Sequence, residues 1–154
     1  MNRAMLAAVA VGSMLAFEAA AQPTMKSVAG TYAPVTVPAF GEKPRGQLTL
    51  GADGRYSLIL ARATLAKIAS GARTKATADE YKMMGDGSIA HFGKWTIDDG
   101  GKTLTFHIEA SSFPNWDGQS QKRPMKLSGD TLAYTVPAPS TGGAASELTW
   151  RRVR

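Results

Sequence analysis

One predicted strand carries the residues that are best suited to chemistry. His107 and Glu109 stand two positions apart within residues 102–111, so they share one face of that strand, because side chains alternate across it. A carboxylate beside an imidazole raises the imidazole pKa and holds the ring for proton transfer or for a hydrogen bond to a ligand. His107 is therefore a candidate general acid or base tuned by Glu109, and both are candidate ligand-binding residues.

The direction of this face leaves two interpretations open. The opposite face of the strand is apolar and includes Phe106. If that apolar face packs in a core, His107 and Glu109 point into water. In the alternative, the two polar side chains line a ligand cavity, and residues 62–89 cover the apolar face.

Arg123 is the next candidate, since it shares with Gln121 a strand face that is expected to point inward. A buried guanidinium needs a carboxylate, the face of an aromatic ring or a ligand anion. Arg123 could therefore stack on Tyr32 or Trp150 and close one end of a barrel, or it could bind an anion. Glu109 is its expected partner in either case.

An aromatic loop follows the strand that holds His107. Exposed aromatic residues on loops gate pockets or pack over a rim, so Trp116 is a candidate ligand contact beside Phe113. Asn115 is either a turn residue or a ligand contact that stabilises developing negative charge. We expect His91 to be a hydrogen-bonded wall residue rather than a ligand-binding one.

Metal and cofactor chemistry have little support. The chain has two histidines and no cysteine, so a zinc site would need His91, His107 and Glu109 to converge. The Gly-Asp-Gly of residues 85–87 lacks the following Gly-Lys-Ser/Thr of a phosphate loop, and the Gly-x-Ser-x-Gly element of serine hydrolases does not occur. We expect neither a metal nor a cofactor.

About eight predicted strands position these candidates, and short turns join most neighbours. Asp53-Gly54 between two alternating apolar segments is a strong hairpin signal. An antiparallel meander of roughly eight strands closes into a barrel with room for side chains or one small ligand. We therefore predict an all-β up-and-down barrel, with an open sandwich as the alternative. The predicted strands are residues 28–37, 47–50, 56–61, 90–98, 102–111, 120–127, 131–136 and 147–153.

Residues 62–89 interrupt the strand pattern between the third and fourth strands. Thr77 and Glu80 have the spacing of a capping box, which predicts a short helix through Met84 that ends at the glycines of residues 85–87. Residues 63–70 are expected to form another helical turn or two. This segment is the candidate lid or plug.

The N-terminus predicts export. Arg3 supplies a positive charge, residues 4–17 are mostly apolar, and Ala19 and Ala21 are the small residues that signal peptidase reads. The apolar run is shorter than the roughly 20 residues of a transmembrane helix. We therefore expect a signal peptide over residues 1–21 and one domain over residues 22–154, located in the periplasm or the medium.

The basic residues are dispersed, although the formal net charge is +6. An exported chain without an aromatic-basic RNA motif is not expected to bind nucleic acid. A positive field would instead attract anionic small molecules or contact an anionic cell envelope.

Four motifs resemble the small bacterial lipocalin-like domain family. The resemblance implies a calycin-type barrel with a central pocket. It favours the interpretation in which His107 and Glu109 face that pocket, because His-x-Glu opens the motif typical of the family. Tyr32 stands where such domains usually have Trp, so the ring that closes the barrel end is smaller. The motifs are Lys-Pro-Arg-Gly at 43–46, Gly-Ala-Asp-Gly-Arg at 51–55, Phe-His-Ile-Glu-Ala-Ser-Ser-Phe-Pro-Asn-Trp at 106–116 and Leu-Thr-Trp-Arg-Arg-Val at 148–153.

Three hypotheses about function follow. The first is an exported barrel that binds a small, largely apolar molecule with an acidic or carbonyl group. The second is a cofactor-independent isomerase, cyclase or hydrolase that uses His107. The third is a structural envelope protein with a basic surface and no pocket. For the first hypothesis the expected pocket wall is Leu58, Trp95, Phe106, Tyr134 and Trp150, and the expected polar anchors are His107, Glu109 and Arg123.

Overall fold

Eight antiparallel strands form a closed barrel in which each strand pairs with the next along the chain and β8 pairs with β1. The computed structural model describes residues 21–98 and 100–154. The predicted up-and-down barrel is confirmed, and the open sandwich is excluded. The strands are β1 (Gly30–Thr36), β2 (Arg45–Leu50), β3 (Arg55–Ala61), β4 (Ser88–Ile97), β5 (Thr103–Ser111), β6 (Ser120–Ser128), β7 (Thr131–Val136) and β8 (Ser146–Arg152).

Strict alternation of side chains makes each strand two-faced. In β3, Tyr56, Leu58 and Leu60 are buried, and the residues between them are exposed or half-buried. The β2–β3 hairpin has the predicted tight turn, in which the Asp53 carboxylate accepts a hydrogen bond from the Arg55 backbone N–H at 3.0 Å. Burial of the apolar face is the main stabilising contribution, at roughly 25 cal/mol per Å² of apolar surface.

Helix α1 (Met25–Val28) and Tyr32 close one end of the barrel. The Tyr32 hydroxyl donates a hydrogen bond of 2.6 Å to the Val28 carbonyl. The Arg152 guanidinium lies 4.9 Å from the centroid of the Tyr32 ring and donates to the carbonyl of Ser27 at 2.7 Å and to that of Ala29. Val28 therefore ends a helix instead of beginning the first strand.

Arg152 has the end-closing role that the sequence assigned to Arg123. The prediction that Arg123 stacks on Tyr32 or Trp150 is wrong, because its guanidinium extends toward Trp116, at 5.7 Å from that ring's centroid. Arg152 on β8 therefore lies at the closed end of the barrel, and Arg123 on β6 points toward the opposite end.

Large aromatic side chains fill the closed half. Trp95, Trp150, Tyr32 and Phe106 are almost completely buried. The Trp95 indole N–H donates to the Gly51 carbonyl at 2.9 Å, which ties β4 to the β2–β3 turn. This packing leaves the opposite half of the barrel as the place for a ligand.

Four connections surround the open end: residues 37–44, 62–87, 112–119 and 137–145. Three of them contain short 3-10 turns, Pro38–Phe40, Arg73–Lys75 and Pro114–Trp116. Within the described part of the chain, no helix combines the length and the apolar character needed to cross a membrane.

The connection between β3 and β4 contains the predicted helix, α2 (Ala78–Gly87). The Thr77 hydroxyl accepts from the Glu80 N–H at 3.3 Å, and the Glu80 carboxylate accepts from the Thr77 N–H at 2.8 Å, so the capping box is confirmed. The helix continues through Gly87, whose missing Cβ leaves space for the Leu65 side chain. Residues 63–70 are not helical, contrary to expectation. There the Ala69 N–H donates to the Glu80 carboxylate at 2.7 Å.

Candidate functional site

A polar cluster lies inside the open half of the barrel. Arg123 on β6 and His91 on β4 are the two buried polar or charged residues of the described chain, with exposed fractions of 3% and 6%. Tyr56 on β3 joins them, since its hydroxyl lies 2.8 Å from Nδ1 of His91. All three occupy inward positions on strands whose other inward residues are mainly apolar.

Burial determines the charge of this cluster. Burial and, to a smaller extent, the nearby Arg123 guanidinium lower the pKa of His91 to about 4. Burial also raises the pKa of the Tyr56 and Tyr134 hydroxyls, so both phenols are protonated at neutral pH. Arg123 remains protonated, as arginine does in proteins, although burial lowers its pKa. The cluster therefore carries one positive charge.

Arg123 lacks a carboxylate partner among residues 21–98 and 100–154. Its Nη2 donates to the Gln121 side-chain oxygen, while its buried Nε has no partner within the same residues. Glu109, the expected partner, lies outside the barrel and pairs with Nη2 of Arg55 at 3.2 Å. The predicted Arg123–Glu109 contact is therefore wrong.

Aromatic rings enclose the cluster from both sides. Trp116 lies toward the open end, with its ring centroid 5.7 Å from that of His91 in an edge-to-face contact. On the inner side, the Phe106 centroid lies 4.5 Å from that of Tyr56 and 5.8 Å from that of Tyr134. Burial among these rings strengthens the electrostatic interactions within the cluster.

Trp116 separates two hollows at the open end. The first, of about 60 Å³, lies in the mouth and is mostly apolar. The second, of about 240 Å³, opens beside β6 and is lined by Arg123, Gln121 and Trp116 together with Pro137. Pockets for drug-sized ligands measure roughly 300–1,000 Å³. Trp116 thus lies between two modest hollows, and neither is the deep central pocket that the resemblance implied. The apolar residues that line the mouth are Val37, Ala39, Phe40, Leu60, Ile89, Trp116, Val136, Pro139 and Leu148.

The predicted wall residues all lie inside the barrel, but they do not share one site. Phe106 and Tyr134 contact the polar cluster or its neighbours, whereas Trp95 belongs to the filled half. Leu58 and Trp150 are buried core residues. Asn115 is exposed, lines neither hollow, and accepts a hydrogen bond from Gln119 through its backbone carbonyl, as a turn residue does.

His107 and Glu109 lie on the outer wall. The His107 ring contacts the hydroxyl of Ser120 through Nδ1 at 2.8 Å and that of Thr96 through Nε2 at 3.2 Å. The interpretation in which the two residues line the cavity is wrong, and the alternative in which they face outward holds. The reason is that the opposite, apolar face of β5 packs in the core. An acid–base role for His107 therefore has no interior site around it.

His91 is the residue that the sequence argument undervalued. It was expected to be a wall residue, and its bond to Tyr56 agrees with that, but it also lies beside a buried charge. The sequence contains a signal for this placement, because His91 shares the inward face of β4 with Gly93 and Trp95.

No group of three His, Asp or Glu side chains within the described residues could hold a metal, and the two histidines lie on opposite sides of the wall.

Comparison with known proteins agrees with this architecture. Residues 25–153 match the lipocalin-like domain family, so the chain belongs to that family. It is also similar to the 4'-hydroxy-3'-methoxypropiophenone carrier protein ppsC of Aspergillus oryzae (strain ATCC 42149 / RIB 40). The identity is 30% over 74 residues, which cover 42% of this chain and 67% of that protein.

Proposed function

We propose that the protein binds and carries a small, largely apolar molecule in the open half of its barrel. The observation that carries this proposal is the polar cluster of Arg123, His91 and Tyr56, buried beneath an apolar mouth. Ligand sites typically combine apolar walls with a few convergent polar groups that fix orientation. The similar protein from Aspergillus oryzae is named as a carrier of an aryl ketone, which supports the same kind of role.

Entry of the ligand requires Trp116 to move. The mouth hollow of about 60 Å³ has room for a few water molecules only. Trp116 belongs to a 3-10 turn outside the barrel sheet, so its ring can swing without breaking a strand–strand hydrogen bond. With the ring displaced, the hollows on its two sides would merge above Arg123 and His91.

The lining favours a ligand with one aromatic ring. Phe40 and Trp116 line the mouth, and His91 and Phe106 offer further ring edges or faces below it. Aromatic pairs gain roughly 0.5–1.5 kcal/mol beyond the burial of their area. A hydroxyl or carbonyl group on that ring would reach the polar cluster.

We further propose that the protein acts outside the cytoplasm after residues 1–21 have been removed. The support is the N-terminal pattern of a positive charge, an apolar run and small residues before Gln22. The proposed signal peptide lies, apart from Ala21, outside the described residues.

A binding titration tests the carrier proposal. The probe is 4'-hydroxy-3'-methoxypropiophenone, and isothermal titration calorimetry measures its binding to the purified protein. We expect saturable binding at one site and a loss of affinity of about 10-fold in Trp116→Ala, because one aromatic contact disappears.

The matched control for this titration is Phe92→Ala, which removes an aromatic side chain from the outer wall, where it is 46% exposed. It should leave the affinity unchanged. Equal losses in both variants, or no binding by the unmodified protein, would count against a site in the barrel mouth.

A further inference from the structure

Arg123 is a buried cation with no counterion in the described part of the chain. Only 3% of its surface is exposed, and its Nε has no hydrogen-bond partner within residues 21–98 and 100–154. Burying a charge is costly unless the charge is paired and hydrogen-bonded. None of the four salt bridges in that part of the chain includes Arg123.

The groups around Arg123 do not neutralise it. Gln121 offers only an amide, and Tyr56 and Tyr134 are protonated phenols, because burial raises the pKa of both hydroxyls. His91 is neutral, since its pKa falls to about 4. Counting the groups of residues 21–98 and 100–154, the interior therefore has an excess charge of +1 beside a hollow.

The hollow adjoins Arg123. Arg123 lines the space of about 240 Å³ beside β6, together with Gln121 and Trp116. A guanidinium presents its N–H groups as a planar fork that fits a carboxylate with two parallel hydrogen bonds. The aromatic ring of Trp116 beside the fork would cover the apolar body of the same molecule.

We propose that the ligand is a monoanion, an aryl carboxylate or a comparable acidic ring compound, whose charged group pairs with Arg123. This inference rests on the proposed carrier function and names the class of its cargo. The anion supplies the missing counterion, so a neutral analogue of the same shape binds about 10- to 100-fold more weakly.

The test compares three probes by calorimetry at pH 7: 4-hydroxy-3-methoxybenzoate, its neutral methyl ester and 4'-hydroxy-3'-methoxypropiophenone. We expect the carboxylate to bind at least 10-fold more tightly than the ester. In Arg123→Met, which keeps an unbranched side chain, that preference should disappear. The control is Lys126→Met, which removes one positive charge from the outer face of the same strand, away from this hollow, and should keep the preference.

The outcomes separate the two proposals. Equal binding of the acid and the ester by the unmodified protein, or a preference that survives in Arg123→Met, overturns the anion inference and leaves the carrier proposal standing. Failure of all three probes to bind overturns both. If Arg123→Met does not fold, Arg123→Lys replaces it. That variant keeps the charge but loses the fork, and it should weaken binding of the carboxylate while leaving the ester unchanged.

Discussion

His91 shows how one buried side chain couples the barrel to pH. Its imidazole hydrogen-bonds to Tyr56, touches three aromatic rings and lies close enough to Arg123 to feel its charge. Protonation would place a second positive charge in a space that already holds one. The folded protein therefore resists this protonation, and the unfolded chain does not.

This resistance predicts a loss of stability in mild acid. The pKa of His91 is about 4 in the folded protein and near 6.5 when the ring is in water. Between these values the unfolded chain binds more protons, so the free energy of unfolding falls as the pH drops from about 6.5 to about 4. The loss should reach about 3 kcal/mol, at 1.36 kcal/mol per pKa unit. Urea denaturation at several pH values measures it.

Replacement of each histidine provides the control for this effect. His91→Gln should flatten the dependence between pH 4 and pH 6.5, whereas His107→Gln, on the outer wall, should retain it. A curve for His91→Gln that is parallel to that of the unmodified protein would contradict the assignment.

At the level of structural elements, the two ends of the barrel are built for different tasks. Helix α1, Tyr32 and Arg152 close one end with a ring stack and hydrogen bonds to backbone carbonyls. The other end is surrounded by four loops and holds the polar cluster beneath Trp116. Stability and binding should therefore respond to different substitutions.

Arg152→Met tests this separation. It removes the stack on Tyr32 and leaves the carbonyls of Ser27 and Ala29 without their donor, at an expected cost of about 2–4 kcal/mol in the free energy of unfolding. Affinity for the aryl probe should stay within about 2-fold, because the site lies at the other end.

The variant Arg151→Met serves as the comparison, since that side chain is exposed on the outer face of the same strand. It should change the stability by less than about 0.5 kcal/mol. A loss of ligand binding in Arg152→Met at temperatures where the variant is folded would contradict the division of tasks.

At the scale of the whole molecule, closure between β1 and β8 leaves no unpaired strand edge in the barrel. Open strand edges invite pairing with strands of other chains, so closure protects the barrel from aggregation. The chain has no cysteine, so this protection does not depend on disulfides. The net charge of +6 draws anions toward the molecule, and this agrees with an interior whose described residues supply no counterion for Arg123. Contact with an anionic envelope stays a prediction, which salt-sensitive attachment would support.

Export yields a prediction for the full chain. Expression in a Gram-negative host should yield a periplasmic protein whose N-terminal residue is Gln22, because signal peptidase cuts after small residues such as Ala21. Mass spectrometry of the intact periplasmic protein checks both points. Replacing Ala19 and Ala21 with bulky residues should block the cut, while Ala7→Leu should not. Recovery of the uncut chain from the cytoplasm would contradict the proposal.

Much of the barrel could be predicted from local patterns. The hairpin at Asp53, the capping box at Thr77 and the alternation in each strand identify eight strands and one helix without reference to distant residues. The predicted end of the helix at residues 85–87 is wrong, since the helix continues through Gly87. There the Leu65 side chain, from an earlier part of the chain, packs against the glycine.

The amino-acid order alone settles the type of fold, since polar and apolar residues alternate with a period of two and short turns leave antiparallel pairing as the simplest arrangement. It does not settle which arginine meets Tyr32, nor that His91 instead of His107 lies beside Arg123. Both pairs join strands that are not consecutive in sequence: Arg152 on β8 lies opposite Tyr32 on β1, and Arg123 on β6 lies near His91 on β4. They depend on how the strands stagger when the sheet closes, and this offset is a property of the whole barrel.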